Sequence, residues 1–166
     1  MFPVFCQCET SKEVKASFGG DPQGIAVAAR ISRVAVDRTG RVLGWIGAVE
    51  QYEGNVWEIH PLIVRADSRR QGIGRSLIRD LENCVIKRGG LTLWVGTDDE
   101  NNQTTLSQVN LYPNVWEHVV KIRNLKNHPY EFYQKCGFVI VGVMPDANGI
   151  GKPDIYMAKS LHSIDS

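Results

Sequence analysis

The run Arg69-Arg70-Gln71-Gly72-Ile73-Gly74 places two cations, an amide side chain and two glycines at the head of a segment with helical periodicity. Ile73, Leu77, Ile78, Leu81, Cys84 and Val85 recur at helical spacing, and Arg88-Gly89-Gly90 follows as a stop. A helix therefore starts near Gly74. Glycines let the backbone turn tightly beside a ligand, so unpaired N–H groups and the positive end of the helix dipole can meet an anion such as a diphosphate. Arg69 and Arg70 add mobile charge. Two common phosphate loops are excluded, because neither Gly-Lys-Ser/Thr nor Gly-x-Gly-x-x-Gly with a later acidic residue is present.

The elements that must hold this loop follow from patterning. Val56 to Arg65 reads as the strand that enters it, with Trp57, Ile59, Pro61 and Ile63 on one face and Glu58, His60, Leu62 and Val64 on the other. Val34 to Asp37 and Val42 to Tyr52 read as a hairpin about Arg38-Thr39-Gly40, and Glu53-Gly54-Asn55 turns into the third strand of an antiparallel set. After the helix, Leu91 to Gly96 forms a strand parallel to the one before the loop, with the helix as crossover. A long polar loop, Thr97 to Asn110, carries Asp98, Asp99 and Glu100. A helix over roughly Pro113 to Leu125 follows, then a short one opened by Asn127-His128-Pro129 and closed by Gly137. Phe138 to Met144 reads as a buried strand and Asp154 to Leu161 as the closing one. This predicts an α+β fold: a mixed, mostly antiparallel twisted sheet with helices on both faces. Residues 1–24 hold the break Gly19-Gly20-Asp21-Pro22 and only a short helix or strand, so the N-terminal elements are shortened or irregular.

The 166 residues suit one domain, and 43% hydrophobic content is enough for a substantial core. A net charge of +1 without a long basic run excludes an electrostatic nucleic-acid binder. No apolar run reaches bilayer length and the start lacks a secretory pattern, so no membrane role and a cytoplasmic location are expected. Cys6, Cys8, Cys84 and Cys136 show no Cys-x-x-Cys spacing and no histidine set, so structural thiols and no metal site are expected.

Arg69-x-x-Gly72-x-Gly74 after a strand, with Tyr130-Glu131-Phe132-Tyr133-Gln134-Lys135-Cys136-Gly137-Phe138 before another, resembles the GCN5-related N-acetyltransferases. Trp57-Glu58-Ile59-His60-Pro61-Leu62-Ile63-Val64, Gly96-Thr97-Asp98-Asp99, Thr104-Thr105-Leu106-Ser107-Gln108 and Gly149-Ile150-Gly151-Lys152-Pro153-Asp154-Ile155 resemble the aminoglycoside 6′-N-acetyltransferase branch. The similarity spans roughly residues 25–161. It describes a single N-acetyltransferase domain over 1–166, with a poorly matched segment 1–33 and a core of 34–161. Lys126 departs from the superfamily, which often has Asn there.

The resemblance implies acetyl-CoA as cofactor, coenzyme A as product, and direct attack in a ternary complex on a cationic amine. Cofactor contacts are implied for Leu62, Ile63, Val64, Arg69, Arg70, Gln71, Gly72, Ile73, Gly74, Arg75 and Tyr133. The carbonyl is held by strand amides around Leu62 to Val64, and Pro61 has no N–H to give. Glu58 or His60, on one strand face, accepts the ammonium proton. Tyr133 is the implied general acid to the sulfur. Glu58, Asp98, Asp99, Glu100 and Asp154 are the implied substrate contacts, matching carboxylates to a polyamine. Cys84 and Cys136 have no evident base, which disfavours an acyl-enzyme. Related enzymes often pair through their C-terminal strands, so a homodimer is expected. The rivals are the same chemistry on a polyamine, a protein lysine or an N-terminus, and a non-catalytic acyl-CoA sensor.

Overall fold

The computed structural model describes residues 28–162. The irregular N-terminal elements expected before residue 25, with Cys6 and Cys8, lie outside them. The described residues divide into two compact units, the first running to Leu93 and taking in Leu161 and His162, the second Trp94–Ser160. The fold class is the expected one: α+β, with a mixed sheet of six strands and helices.

In the first unit, β1 (Arg30–Val36), β2 (Val42–Gln51) and β3 (Val56–Val64) are consecutive and antiparallel. β1 starts at Arg30, before the expected Val34, because Arg30 to Arg33 pair in register with Ile46 to Val49. The β1–β2 turn is set by Asp37, whose Oδ1 accepts from Thr39 N at 2.8 Å, Thr39 Oγ1 at 2.6 Å and Arg41 N at 3.1 Å. Helix α1 (Ile73–Ile86) packs on these strands through Ile73, Leu77, Ile78, Leu81 and Val85, none more than 2% exposed, while Cys84, the sixth periodic residue read from the sequence, is only half-buried. Burying each contributes about 2 kcal/mol.

β3 corrects one expectation. Ile63, assigned to the face of Trp57 and Ile59, is 52% exposed. Ala48 pairs with Ile59 but Ile46 pairs with Leu62, so His60 and Pro61 together oppose the single Gly47. This bulge inverts the alternation beyond it. Only glycine fits opposite: a Cβ on Gly47 would lie 2.6 Å from the His60 carbonyl oxygen.

β4 (Thr92–Asp98) leaves the first unit and continues in the second, where the strand order is β4, β6 (Asp154–Ser160), β5 (Val139–Met144). β5 and β6 are antiparallel. The expected buried strand is instead terminal and half exposed: Val139 is 62% and Val141 49% exposed, while the preceding Phe138 is buried. The helix expected over residues 113–125 is shorter, a 3-10 turn at Tyr112–Asn114 and α2 (Val115–Val120). Arg123 N donates to Thr105 Oγ1 at 3.0 Å and Thr105 N to Arg123 O at 3.1 Å, so this backbone is spent on tertiary pairing with the long loop. α3 (Tyr130–Gln134) follows Pro129, and Gly137 beyond it has φ +91°.

Candidate active site

The basic loop of the first unit has the form of an anion cradle. β3 ends at Val64, a 3-10 turn covers Ala66–Ser68, and α1 begins at Ile73 with Gly72 as its N-cap. Gly72 has φ +84°, a left-handed conformation that costs a side chain, and a Cβ there would meet nothing within 4 Å. No side chain caps α1 and no acidic residue lies in its first turn. The amides of residues 73–75 therefore keep their partial positive charge at an exposed, uncrowded turn. Arg70, Gln71 and Arg75 are exposed around it. Arg69 differs from the mobile charge expected, since its Nε donates to the Val64 carbonyl at 3.1 Å and ties the loop back to β3. Asp67 braces the same turn through Arg41 at 2.6 Å and Ser68 Oγ at 2.8 Å. Its carboxyl is held well below the usual range by hydrogen bonds from Arg65 and Ser68. Deep burial of Ile73 anchors the helix start. An exposed glycine turn, free amides and flanking cations fit a diphosphate group.

β3 carries the next group of residues. Leu62, Ile63 and Val64 pair with Ile46, Trp45 and Gly44 of β2, so along these three the amides turn alternately toward β2 and away from it. Glu58 is half-buried, and its Oε2 accepts a hydrogen bond from Gln51 Nε2 at 2.6 Å, which fixes the carboxylate. His60 is exposed at the bulge. The two were expected to share one face, and they differ in burial at the point where the strand phase changes.

The second unit holds the acidic loop and the tyrosine. Asp98 and Glu100 are exposed. Asp99 is fully buried, and its carboxylate accepts from Gln103 N at 2.6 Å, Thr104 N at 2.8 Å and Ser107 Oγ at 2.5 Å. Burial alone raises its pKa, yet these hydrogen bonds carry it below the usual carboxylate value. Asp99 thus knots the loop, with its charge turned inward. Two turns are zipped together here: Asp99 N donates to Pro153 O at 2.9 Å and Gln108 N to Gly151 O at 2.9 Å. Asp154 is half-buried beside Gly96, where a Cβ would lie 2.6 Å from Asp154 Oδ2. Tyr133 is 7% exposed, with its ring edge-on to Phe132 at 5.2 Å and Phe138 at 5.5 Å. Burial first, and the Cys136 charge second, push its phenol far above the ordinary value, so it stays protonated. Lys159 Nζ donates to the Cys136 carbonyl at 2.9 Å.

Residues that sequence reasoning missed are the ones that hold others in place: Gln51 on Glu58, Ser107 on Asp99, and His128 and Asn148 on Asp98. Ser107 stood inside a quoted segment, and His128 stood in the helix-opening Asn127-His128-Pro129, but nothing in either spacing named the partner. Among the described residues no cluster of His, Cys, Asp or Glu could hold a metal ion, and no helix is long and apolar enough to cross a membrane.

The chain belongs to the acetyltransferase (GNAT) family, whose profile matches residues 7–112. Two crystal structures of aminoglycoside 6′-N-acetyltransferase, one complexed with coenzyme A and one from Enterococcus faecium, are each similar at 48% identity, over 82% of this chain and 76% of theirs. Their TM-scores are 0.80 and 0.79. Aminoglycoside 6′-acetyltransferase type Ii is similar at 41% identity, over 81% of this chain and 70% of that one, with a TM-score of 0.61. A comparison with curated proteins gave no match.

Proposed function

We propose that this chain is a single-domain, acetyl-CoA-dependent N-acetyltransferase that acetylates the 6′-amine of aminoglycoside antibiotics by direct attack within a ternary complex, giving resistance in the bacterial cytoplasm. The observation that carries the reading is 48% identity, over 82% of the chain, to an aminoglycoside 6′-N-acetyltransferase complexed with coenzyme A.

In this reading the amides of residues 73–75, with Gly72 open beneath them, bind the diphosphate, and Arg69, Arg70, Gln71 and Arg75 surround it. Bound acetyl-CoA supplies an activated thioester carbonyl and a thiolate leaving group. Strand amides among Leu62, Ile63 and Val64 that face away from β2 polarise the carbonyl oxygen. Glu58, oriented by Gln51, takes the ammonium proton directly or through water, and the exposed His60 is the other base on that strand. The C–N bond forms, the C–S bond breaks, and Tyr133 presents its retained O–H to the departing sulfur. Asp98, Glu100 and Asp154 draw the cationic acceptor, and Asp99 contributes by shaping their loop. The proposed homodimer would use β5, where Val139 and Val141 leave apolar surface exposed.

The test is thiol release from acetyl-CoA with kanamycin, tobramycin and gentamicin against spermidine and peptide amines. Drug-dependent release is expected. Release with spermidine or peptides alone would transfer the reading to another amine, and none with any amine would favour an acyl-CoA sensor.

A further inference from the structure

We infer that His128 and Asn148 are positioning residues that set acceptor affinity by holding Asp98 at both ends, His128 at its backbone carbonyl and Asn148 at its carboxylate. The inference rests on the proposed reading of Asp98 as an acceptor contact.

His128 is 2% exposed. Its backbone is clamped by Asn124, whose Oδ1 accepts His128 N–H at 2.7 Å while Nδ2 donates to His128 O at 3.0 Å. The ring is fixed as well. Tyr130 N donates to Nδ1 at 3.2 Å, so Nδ1 is the acceptor and the neutral ring carries its hydrogen on Nε2. Nε2 lies 3.2 Å from the Asp98 carbonyl oxygen and is therefore the donor of that contact. From the turn Pro145 to Lys152, Asn148 Nδ2 donates to Asp98 Oδ1 at 2.5 Å. Asp98 itself is exposed. A carboxylate at the exposed end of a strand ordinarily samples several rotamers, and a cationic ligand must freeze one of them. Here the backbone and one carboxylate oxygen are fixed from two separate segments, so that ordering precedes binding. Asn148 is neutral, and burial lowers the His128 pKa and keeps the ring uncharged. Neither holder therefore brings a positive charge against the Asp98 carboxylate that would compete with an ammonium group.

Asparagine and glutamine at position 128 separate the two contacts of the ring. Asn offers an acceptor near the place of Nδ1 and has no reach to Asp98; Gln offers a donor near the place of Nε2. Steady-state kinetics with tobramycin and acetyl-CoA should show H128N raising the tobramycin KM about tenfold with the acetyl-CoA KM unchanged, and H128Q restoring it to within about threefold. Asn148→Ala, on a half-buried turn, should raise the tobramycin KM about tenfold by removing the donor to Asp98 Oδ1 and leaving that carboxylate free to rotate. It supplies the test should H128N fail to fold in a thermal melt. Equal effects of H128N and H128Q, a parallel rise in both KM values, or a wild-type tobramycin KM in Asn148→Ala would overturn the inference. Wild-type enzyme with no tobramycin turnover overturns the reading and the inference together, whereas active wild type with unaltered variants overturns the inference alone.

Discussion

The Ser107 hydroxyl donates to the carboxylate of Asp99 at 2.5 Å inside a loop where both residues are buried. Removing the hydroxyl leaves the buried Asp99 Oδ2 with the Thr104 N–H as its remaining hydrogen bond of the two. Ser107→Ala should therefore lower unfolding free energy by about 1–3 kcal/mol. Urea denaturation with an unchanged m-value would measure it, and an unshifted midpoint would contradict the knot.

Acid should loosen the second unit in two stages. His128 has its pKa lowered from 6.5, chiefly by burial, so below about pH 6.5 the unfolded chain binds a proton the folded chain resists, and stability falls as pH drops toward the folded pKa. Asp99 has its pKa lowered from 3.8, so its contribution is present above that value and is lost as pH falls through the lower folded pKa. Thermal melts between pH 8 and 3 should show both declines. In H128Q the first should vanish.

Gly72→Ala tests the cradle without crowding it. The position has φ +84° and open space around a Cβ, so the cost is backbone strain, about 1–2 kcal/mol, relieved by moving the turn. The acetyl-CoA KM should rise about tenfold while the aminoglycoside KM stays the same. Calorimetric titration with coenzyme A reads the same loss directly.

Tyr133→Phe keeps the packing against Phe132 and Phe138 and removes only the donor. A proton donor to the leaving sulfur is worth at least about 100-fold in kcat, with little change in either KM. Unchanged kcat would leave Tyr133 as an anchoring aromatic.

The proposed recognition of the acceptor by Asp98, Glu100 and Asp154 works through charge. Raising ionic strength from 0.01 M to 0.5 M shortens the screening length from about 30 Å to under about 8 Å. The aminoglycoside KM should rise steeply over this range and the kcat should hold. A flat KM would argue against carboxylate recognition.

Much of the fold was legible because its signals are local. The α1 periodicity and the Gly72 turn are properties of adjacent residues, and both stand where the pattern put them. The illegible parts are set by partners distant in sequence. The exposure of Ile63 depends on Gly47 opposing two residues of β3, and the shortened α2 depends on Arg123 pairing with Thr105. The acidic run divided for the same reason. Asp98, Asp99 and Glu100 look alike in sequence, but only Asp99 meets Ser107, Gln103 and Thr104 and turns inward.

In the proposed function the turn at Gly72 and the start of α1 grip the diphosphate of coenzyme A. A crystal structure of this protein with coenzyme A measures that directly. Phosphate oxygens should lie within hydrogen-bond distance of the amides of residues 73–75, with Arg70 or Arg75 beside them. A diphosphate bound away from that turn would contradict it.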